Sequence, residues 1–411
     1  MQTPLKESPQ RWWLALLLVA GMIFCYAQRG ALSVAAPFMI QELKLSRAVM
    51  GVLLSAFFWT YSFMQVPAGW VVDRIGVKRA YAFGYAIWSA ASVLTGFART
   101  LGTLVAVRMM LGVGQAAAFP ASARAVSNWF QERERGTVSA GYLTGVRLGQ
   151  AMISAAGGLY LAVYGFQSFF VVSGLVPMLW VLPWWRFLGK WEQDEPLQTS
   201  VAGKNRFSFL ESLGLFRFRS VVGIFLGFFA YDYAWFVYVN WLPTYLMMER
   251  KSSASEMGLY SSVPYLAMSV TILSSGVLSD VLIRKGYFEI TVRRVLIVIG
   301  MVIACSIVPA GLVEDKMTAV GLLTVSLCGL GIASPNCWAL TQAVCSKTVV
   351  GTVSGIQNFG GNVGGIIAPA LTGYIAHTTG SFALALSVTG GILIFGVFCY
   401  WLMVRETVEF G

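Results

Sequence analysis

The sequence predicts an all-α membrane protein with twelve transmembrane helices in two six-helix halves and with both termini in the cytoplasm. Three observations lead to this prediction: an apolar composition, regularly recurring apolar stretches, and features that repeat half a chain apart. Of 411 residues, 57% are hydrophobic and 11% are charged, and the mean hydropathy is +0.70. Soluble domains carry about 25% charged residues. The composition therefore excludes a soluble enzyme, since too few charges exist to cover its surface.

The predicted spans follow from length and polarity. A membrane helix needs about 20 largely apolar residues, and the chain contains roughly twelve such stretches. They are 12–39, 48–71, 80–99, 101–123, 138–164, 167–189, 220–247, 257–282, 294–313, 316–344, 350–376 and 381–404. The first stretch follows Lys6 and Arg11 as a signal peptide would. No small-residue cleavage motif comes after it, so we expect a retained helix.

The basic residues predict the orientation. With an inside N-terminus, 20 of the 29 Lys and Arg residues lie on the cytoplasmic side, 6 lie outside, and 3 lie within spans. This bias fits the positive-inside rule. The net charge of +11 is therefore mainly an insertion signal. We expect the lipid bilayer, with its anionic lipids, as a partner, and we do not expect nucleic acid.

Internal repeats divide the chain. Pro37 and Pro243 are separated by 206 residues, and Asp73 and Asp280 by 207. Pro120 and Pro335 are separated by 215, as are two Gly-Thr-Val-Ser motifs. The separation between matching features changes only once along the chain, from 206–207 to 215 residues, which indicates duplication. We therefore predict a first half at 1–190, a cytoplasmic linker at 191–219 and a second half at 220–411. Such a duplicated bundle predicts transport, with a binding site between the halves.

Charged residues inside the spans indicate where a ligand binds. Each intramembrane Arg costs roughly 2.5–3.5 kcal/mol on insertion scales, so such residues are usually functional. Here they are Arg29, Arg108 and Arg147, with Asp232 as the one carboxylate placed well inside a span. A surplus of cations favours an anionic ligand, because the guanidinium fork matches carboxylate or phosphate oxygens. Two structural alternatives remain: Arg108 could bond backbone carbonyls, and Arg147 could pair with Asp232.

A loop after the second span carries the motif Gly69-Trp-Val-Val-Asp73-Arg74-Ile-Gly76-Val-Lys78-Arg79. This motif resembles the signature loop of the major facilitator superfamily, with a degenerate copy at Gly276-x3-Asp280. The resemblance implies a gating latch at Asp73 and Arg74. The alternative is that both are solvated loop charges.

Further motifs narrow the resemblance. They are Gln28-Arg29-Gly-Ala-Leu-Ser-Val-Ala-Ala-Pro37, Arg108-x6-Gln115-Ala-x-x-Phe119-Pro120, Trp241-Leu-Pro-Thr-Tyr245 and Gly355-x2-Asn358-x2-Gly361-x2-Gly364-Gly365. Together they resemble the anion:cation symporter family, which contains bacterial galactonate and hexuronate transporters, vesicular glutamate transporters and sialin. The resemblance implies a secondary transporter of organic anions such as sugar acids, working by alternating access in a bacterial-type inner membrane.

The resemblance also implies roles for individual residues. Arg29 and Arg108 would serve the bound carboxylate and the coupling machinery, and the other substrate-binding residues would be Tyr26, Tyr61, Trp338, Asn358 and Gln28. Tyr and Trp each offer a flat apolar face and one donor, which suits a hydroxylated carbon chain. The coupling and gating residues would be Gln115, Arg147, Asp232, Asp73 and Arg74.

Two positions depart from the family pattern. Proton-coupled sugar-acid transporters of this family carry an Asp before the helix-1 arginine and a Glu seven residues after the helix-4 arginine. Here these positions hold Gln28 and Gln115, whose amides do not take up or release a proton in the physiological range. Three mechanisms are compatible with this change: an acid relocated to Asp232, a uniporter or anion exchanger, or engineered glutamines in a proton symporter. The sequence favours lost or relocated proton coupling, so a proton or a counter-anion remains the expected co-substrate.

Other functional classes are weaker. A phosphate-ester exchanger also uses paired arginines and is the closest alternative. A drug–proton antiporter shares the loop motif but is expected to have an acidic cavity, and a non-transporting receptor could use the same scaffold. No nucleophile–base pair, phosphate loop or metal cluster occurs in the sequence. We therefore predict no enzyme activity, no cofactor and no metal.

Overall fold

A computed structural model describes residues 8–189, 214–346 and 349–405. Its elements are helical throughout these ranges. The α-helices of the first part are α1 (Arg11–Glu42), α2 (Arg47–Ile75), α3 (Val77–Phe97), α4 (Leu101–Gln115), α5 (Ala118–Trp129), α6 (Glu132–Met178) and α7 (Val181–Gly189). Those of the second part are α8 (Arg219–Thr244), α9 (Ala254–Arg284), α10 (Glu289–Ala304), α11 (Ile307–Leu312), α12 (Lys316–Val344), α13 (Val350–Thr379) and α14 (Ala383–Phe398). A 3₁₀ turn covers Leu215–Arg217, and π-helical turns extend α8 and α14 at Tyr245–Glu249 and Cys399–Met403.

Nine helical stretches in the described part of the chain are long and apolar enough to cross a membrane. The predicted count of twelve is therefore not reproduced by this measure. The long helix α6 is one reason, because its 47 residues continue through a break. Gly165 interrupts the helical geometry with φ +74°, between the predicted spans 138–164 and 167–189. That backbone conformation is readily adopted only by glycine.

Three predicted spans are interrupted, each four residues before a proline. The interruptions lie at Ala116, Leu179 and Cys305, where α4, α6 and α10 end. Pro120, Pro183 and Pro309 follow these residues at a distance of four. A proline ring clashes with the carbonyl of the residue four positions earlier, so the helix ends there and restarts. The predicted spans 101–123, 167–189 and 294–313 are therefore interrupted locally, although the structure still has single apolar stretches at Leu101–Trp129, Gly141–Gly189 and Glu289–Leu312.

The chain groups into two compact units. Unit 1 comprises Met1–Leu45, Leu53–Val201 and Ser252–Ser262, and unit 2 comprises Ser46–Val52, Ala202–Lys251 and Val263–Gly411. Most of the predicted linker lies outside the described residues, as do the basic residues Lys6, Lys190, Lys204, Arg206 and Lys347.

Small residues bring the helices of unit 1 close together. Gly149 on α6 lies directly against the backbone of Ile23 on α1, so no Cβ would fit there. Gly112 on α4 lies equally close to the carbonyl of Phe57 and the hydroxyl of Thr60 on α2. Close backbone approach of this kind is typical of membrane helix packing. It places Arg29, on α1, beside the side chains of α2 and α4.

The first helix of unit 2 packs along a later helix, as the first helix of unit 1 does. In unit 1, α1 packs along α6, and in unit 2, α8 packs along α13. A Cβ at Gly364 of α13 would lie 2.9 Å from the backbone nitrogen of Tyr233 on α8. The indole Nε1 of Trp241 on α8 donates to the carbonyl of Pro369, 3.0 Å away. A long helix pair of this kind thus occurs inside each unit.

Candidate functional site

Arg29 is the centre of a buried polar cluster in unit 1. Only 7% of the residue is exposed. Its Nε donates to Oε1 of Gln115 over 3.0 Å, and its Nη1 donates to the hydroxyl of Tyr26 over 3.1 Å. Nη2 has no hydrogen-bond partner among the residues that the structure describes. One nitrogen of a buried guanidinium therefore remains available to a ligand.

Three aromatic rings surround the Arg29 guanidinium. Its carbon Cζ lies 4.3 Å from the ring centre of Tyr26 and 4.5 Å from those of Phe57 and Tyr61. Phe57 and Tyr61 stack on one another at 4.9 Å. A cation over a ring face is stabilised by the ring quadrupole, by about 2 kcal/mol or more when water is excluded. The rings therefore hold the charge without neutralising it, which leaves it available to an anion.

Arg108 lies near the same ring system. It is 4% exposed, and its Cζ is 5.7 Å from the ring centre of Phe57. Its Nε has no partner within the described ranges. Neither Arg108 nor Arg29 forms an ion pair with any residue that the structure describes. The predicted pair of arginines thus comes together near the ring of Phe57.

Gln115 has both polar atoms of its amide bonded. Its oxygen accepts from Arg29, while its Nε2 donates to the carbonyl of Cys25 over 2.9 Å. A flipped amide would place a donor against a donor and an acceptor against an acceptor. An ionised carboxylate could keep the contact with Arg29 but not the bond to the carbonyl. The site is therefore well suited to an amide.

Gln28 faces different partners from Arg29. Its Nε2 donates to the carbonyl of Ser173 on α6 over 2.8 Å and to the hydroxyl of Ser89 on α3 over 3.4 Å. Its Oε1 has no partner in the described part of the chain. The side chains of consecutive residues in an α-helix point about 100° apart around the helix axis. Gln28 therefore bonds the helices behind the cluster and is not brought to the guanidinium of Arg29.

Arg147 lies on α6, half-buried, and is close enough to Tyr26 to interact electrostatically. A pair between Arg147 and Asp232 was one of the alternatives that the sequence left open, and that pair stays a prediction. Arg147 adds a third cation near the aromatic rings of unit 1.

The candidate residues of unit 2 lie on three helices. Trp338 on α12 is 38% exposed and packs edge-on against Phe228 of α8, with ring centres 5.2 Å apart. Asp232 on α8 is half-buried, and its carboxylate lies against Gly361 of α13, where a Cβ would overlap Oδ2. Asn358 is half-buried on α13. The glycine-rich motif of α13 thus leaves room for the intramembrane carboxylate.

The motif that the sequence placed in a loop is mostly helical, since α2 extends to Ile75 and α3 begins at Val77. It forms an ion pair that the motif alone did not specify. Asp73 pairs with Arg124 of α5, while Arg74 lies over the ring of Trp70 at 5.1 Å. The side chain of Asp73 is 71% exposed. In unit 2 the repeat-related Asp280 lies 3.8 Å from Arg293, which also bonds Glu289 over 2.8 Å. In both units the acid near the C-terminal end of α2 or α9 therefore contacts an arginine from another helix.

Sequence reasoning missed two residues of this region. Phe57 is one of 27 phenylalanines, and nothing in its spacing marks it as the ring that two arginines approach. Gln150 lies on α6, fully buried against Gly30, with neither amide atom bonded to a described residue. Gln150 could have been selected from the sequence, because it is a polar amide inside an apolar span.

Comparison with known proteins identifies the scaffold. Residues 18–369 match the family described as the Major Facilitator Superfamily. The chain belongs to the Major Facilitator Superfamily. The chain is therefore a multi-pass integral membrane protein, as found in bacterial inner membranes. It is a transporter and not an enzyme.

Relatives of this superfamily member cover nearly its whole length. A D-galactonate transporter of Escherichia coli is 29% identical over 429 residues, which cover 99% of this chain and 98% of the relative. A hexuronate transporter of Bacillus subtilis is 29% identical over 401 residues, which cover 96% and 94%. These similarities agree with the resemblance found in the sequence motifs.

Solved structures of the superfamily share the fold. A bacterial homolog of the human lysosomal transporter Spinster, crystallised in an inward-facing and unoccupied conformation, has a TM-score of 0.81 at 17% identity. The match covers 98% of each chain. The nucleoside transporter NupG has a TM-score of 0.74 at 14% identity, covering 95% of this chain and 100% of the other.

Proposed function

We propose that this superfamily member transports sugar acids and related organic anions, and that Arg29 and Arg108 bind the substrate carboxylate. The observation that carries the proposal is a pair of buried arginines near the ring of Phe57, each with an unbonded guanidinium nitrogen in the described structure. A carboxylate accepts two such hydrogen bonds and neutralises charge in a site without an acidic partner. Relatives named as galactonate, galactarate/D-glucarate and hexuronate transporters support this substrate class.

The remaining contacts fit a hydroxylated chain attached to that carboxylate. We assign Tyr26 and Tyr61 to the same site, and Trp338 and Asn358 to the substrate surface of the second half. Arg29 donates to the hydroxyl of Tyr26, so the phenolic hydrogen remains free to donate to a substrate oxygen. Gln28 fits a structural role better than a binding role, because its amide nitrogen already bonds α3 and α6.

The topology we propose has twelve crossings, cytoplasmic termini and halves at 1–190 and 220–411, which alternate access to the two sides. The charge bias of 20 to 6 and the break at Gly165 support it. Asp73, Arg74 and Arg124 would then lie at the cytoplasmic end, where breaking the Asp73–Arg124 pair would accompany the change of access.

We further propose that Gln28 and Gln115 carry no coupling proton. Gln115 is held on both sides by bonds that suit an amide. Coupling then takes one of two forms: exchange of one anion for another, or protonation of Asp232. Arg147 would compensate charge near Tyr26 during either cycle.

The test is counterflow in liposomes that contain the purified protein. Liposomes loaded with unlabelled D-galactonate should take up the labelled compound without a pH gradient. Arg29→Lys keeps the charge but removes the planar fork, and we expect it to reduce exchange at least tenfold. Arg99→Lys is the matched control on an exposed residue and should exchange normally. Unchanged exchange in Arg29→Lys would show that the carboxylate binds elsewhere.

A phosphate-ester exchanger is the second candidate, because paired arginines without an acidic partner also suit a phosphate. Competition separates the two. Inorganic phosphate should displace labelled galactonate only weakly if carboxylates are the substrates, and strongly if phosphate esters are.

A further inference from the structure

Gln150 and Ser154 are polar side chains on α6 that are fully buried. Both residues have 0% exposure. Neither Oε1 nor Nε2 of Gln150, nor Oγ of Ser154, has a hydrogen-bond partner among the described residues. Buried polar groups in proteins are almost always bonded, because leaving one unbonded destabilises the fold. Three such atoms on one helix therefore point to a partner that the described part of the chain does not supply.

The Gln150 amide lies next to the proposed carboxylate site. It packs against Gly30, which directly follows Arg29, and a Cβ at Gly30 would lie 2.8 Å from Nε2. Gly30 and Tyr26 are four residues apart on α1, so they share a helix face. The amide therefore lies on the face of α1 that carries Tyr26, whose hydroxyl accepts a hydrogen bond from Arg29.

Ser154 continues this polar line away from Arg29. It follows Gln150 by four residues, which is about 6 Å along the same helix face. Gly149 contacts Ile23 and Gly157 contacts Val34, so α6 and α1 run in the same direction. Ser154 consequently lies beyond Gln150, on the Val34 side of Gly30.

We propose that Gln150 and Ser154 bind the hydroxyl groups of the transported anion and so select hydroxylated acids over plain carboxylates. This inference rests on the proposed function, since it names the part of the substrate that extends from the carboxylate. An amide offers one acceptor and two donors, and a hydroxyl both donates and accepts. A hydroxylated chain satisfies the amide, whereas an alkyl chain leaves it unbonded. Sites built this way reject analogues that lack the hydroxyl.

The test compares two ligands in binding measurements on the full-length purified protein. D-galactonate and hexanoate have the same carbon number and one carboxylate each, but only the first carries hydroxyls. Gln150→Met keeps the side-chain length and removes the amide. We expect it to weaken galactonate binding at least tenfold while hexanoate binding changes less than threefold. Ser154→Ala should show the same selectivity change with a loss of about threefold to tenfold.

Thermal unfolding of the ligand-free protein provides an independent measurement. Gln150→Met removes no hydrogen bond that the structure shows, so its Tm should equal or exceed that of the wild type. Gln357→Met is the matched control: this buried glutamine accepts from Thr341 over 2.6 Å and donates to the carbonyl of Cys337 over 3.3 Å. Its Tm should fall, while its ratio of galactonate to hexanoate affinity should stay at the wild-type value.

The outcomes are distinguishable. Equal weakening of both ligands in Gln150→Met, or no change in either, would overturn the selectivity role and leave the amide bonded to water only. A wild-type protein that binds hexanoate but no sugar acid would overturn this role and the sugar-acid substrate class together. A wild type that binds neither ligand would overturn the proposed function itself.

Discussion

Gln115 accepts a hydrogen bond from Nε of Arg29 over 3.0 Å. In the family pattern described above, a glutamate would occupy this position. The same amide donates to the carbonyl of Cys25. Arg29 therefore keeps its full positive charge in the absence of ligand, and the amide fixes its orientation. This relationship holds the Arg29 guanidinium with an amide and not with a carboxylate.

Gln115→Glu should make binding depend on pH. The introduced carboxylate, when ionised, would neutralise Arg29 and compete with the substrate, so galactonate affinity at pH 7.5 should fall at least tenfold. Protonation of that carboxylate at lower pH removes its charge, so affinity should rise again towards pH 5.5. Binding isotherms at both pH values measure the effect. The wild type should show a difference below threefold, and an equal dependence in both proteins would contradict the assignment.

Phe57→Leu should weaken anion binding by removing the ring that both arginines approach. Arg29 and Arg108 lie 4.5 Å and 5.7 Å from its centre. Without the ring, the two charges lose a contact worth about 0.5–2 kcal/mol each. Phe166→Leu is the control, because Phe166 is also fully buried in unit 1. Both variants should lose stability through the smaller side chain, but only Phe57→Leu should lose affinity in a binding isotherm.

Gly112→Ala should disturb the placement of Arg108. A Cβ at Gly112 would overlap the carbonyl of Phe57 and the hydroxyl of Thr60, and such overpacking costs about 1–3 kcal/mol. Gly102, on the same helix, has nothing within 4 Å of its Cβ position among the described residues. Gly102→Ala should therefore stabilise the protein by up to about 1 kcal/mol through helix propensity. Opposite shifts in Tm are the expected result, and equal shifts would argue against the close contact.

Asp73→Asn separates a latch from an ordinary surface charge. The Asp73 side chain is 71% exposed, and pairs of this kind contribute about 0–1 kcal/mol, so Tm should change little. If the pair with Arg124 gates transport, the exchange rate should fall severalfold while galactonate affinity stays constant. The double variant Asp73→Arg with Arg124→Asp should recover part of the rate. A normal exchange rate in Asp73→Asn would leave only the solvated-charge interpretation.

The all-helical fold followed well from the sequence, because apolar length is a local signal, whereas the division into halves at 1–190 and 220–411 stays a prediction. The helix interruptions at Ala116, Leu179 and Cys305 were missed although a proline follows each of them. Other prolines, such as Pro37 and Pro243, lie inside continuous helices. The effect of a proline depends on neighbouring helices that can accommodate the kink, which the sequence does not state.

The candidate site was predictable where charge marked it. Arg29, Arg108 and Gln115 could be selected from the sequence because polar residues inside apolar spans are rare. In the structure Arg29 bonds Gln115, and Arg108 lies near the ring of Phe57. Phe57 could not be chosen from the many rings, since its role depends on which face of α2 meets α4. Arg124 was counted as a cytoplasmic cation, but its pairing with Asp73 requires the packing of two helices that are distant in sequence.

The amide at position 115 also determines how the membrane voltage acts on transport. Under the proposed function, a sugar monoanion that crosses without a proton carries one uncompensated negative charge. An inside-negative potential of 100 mV opposes its entry by about 2.3 kcal/mol, which is roughly a fiftyfold bias towards export. Swapping two anions of equal charge is electrically silent and avoids that bias. Accumulation of substrate would then follow the gradient of the counter-anion, and unpaired flux would run out of the cell.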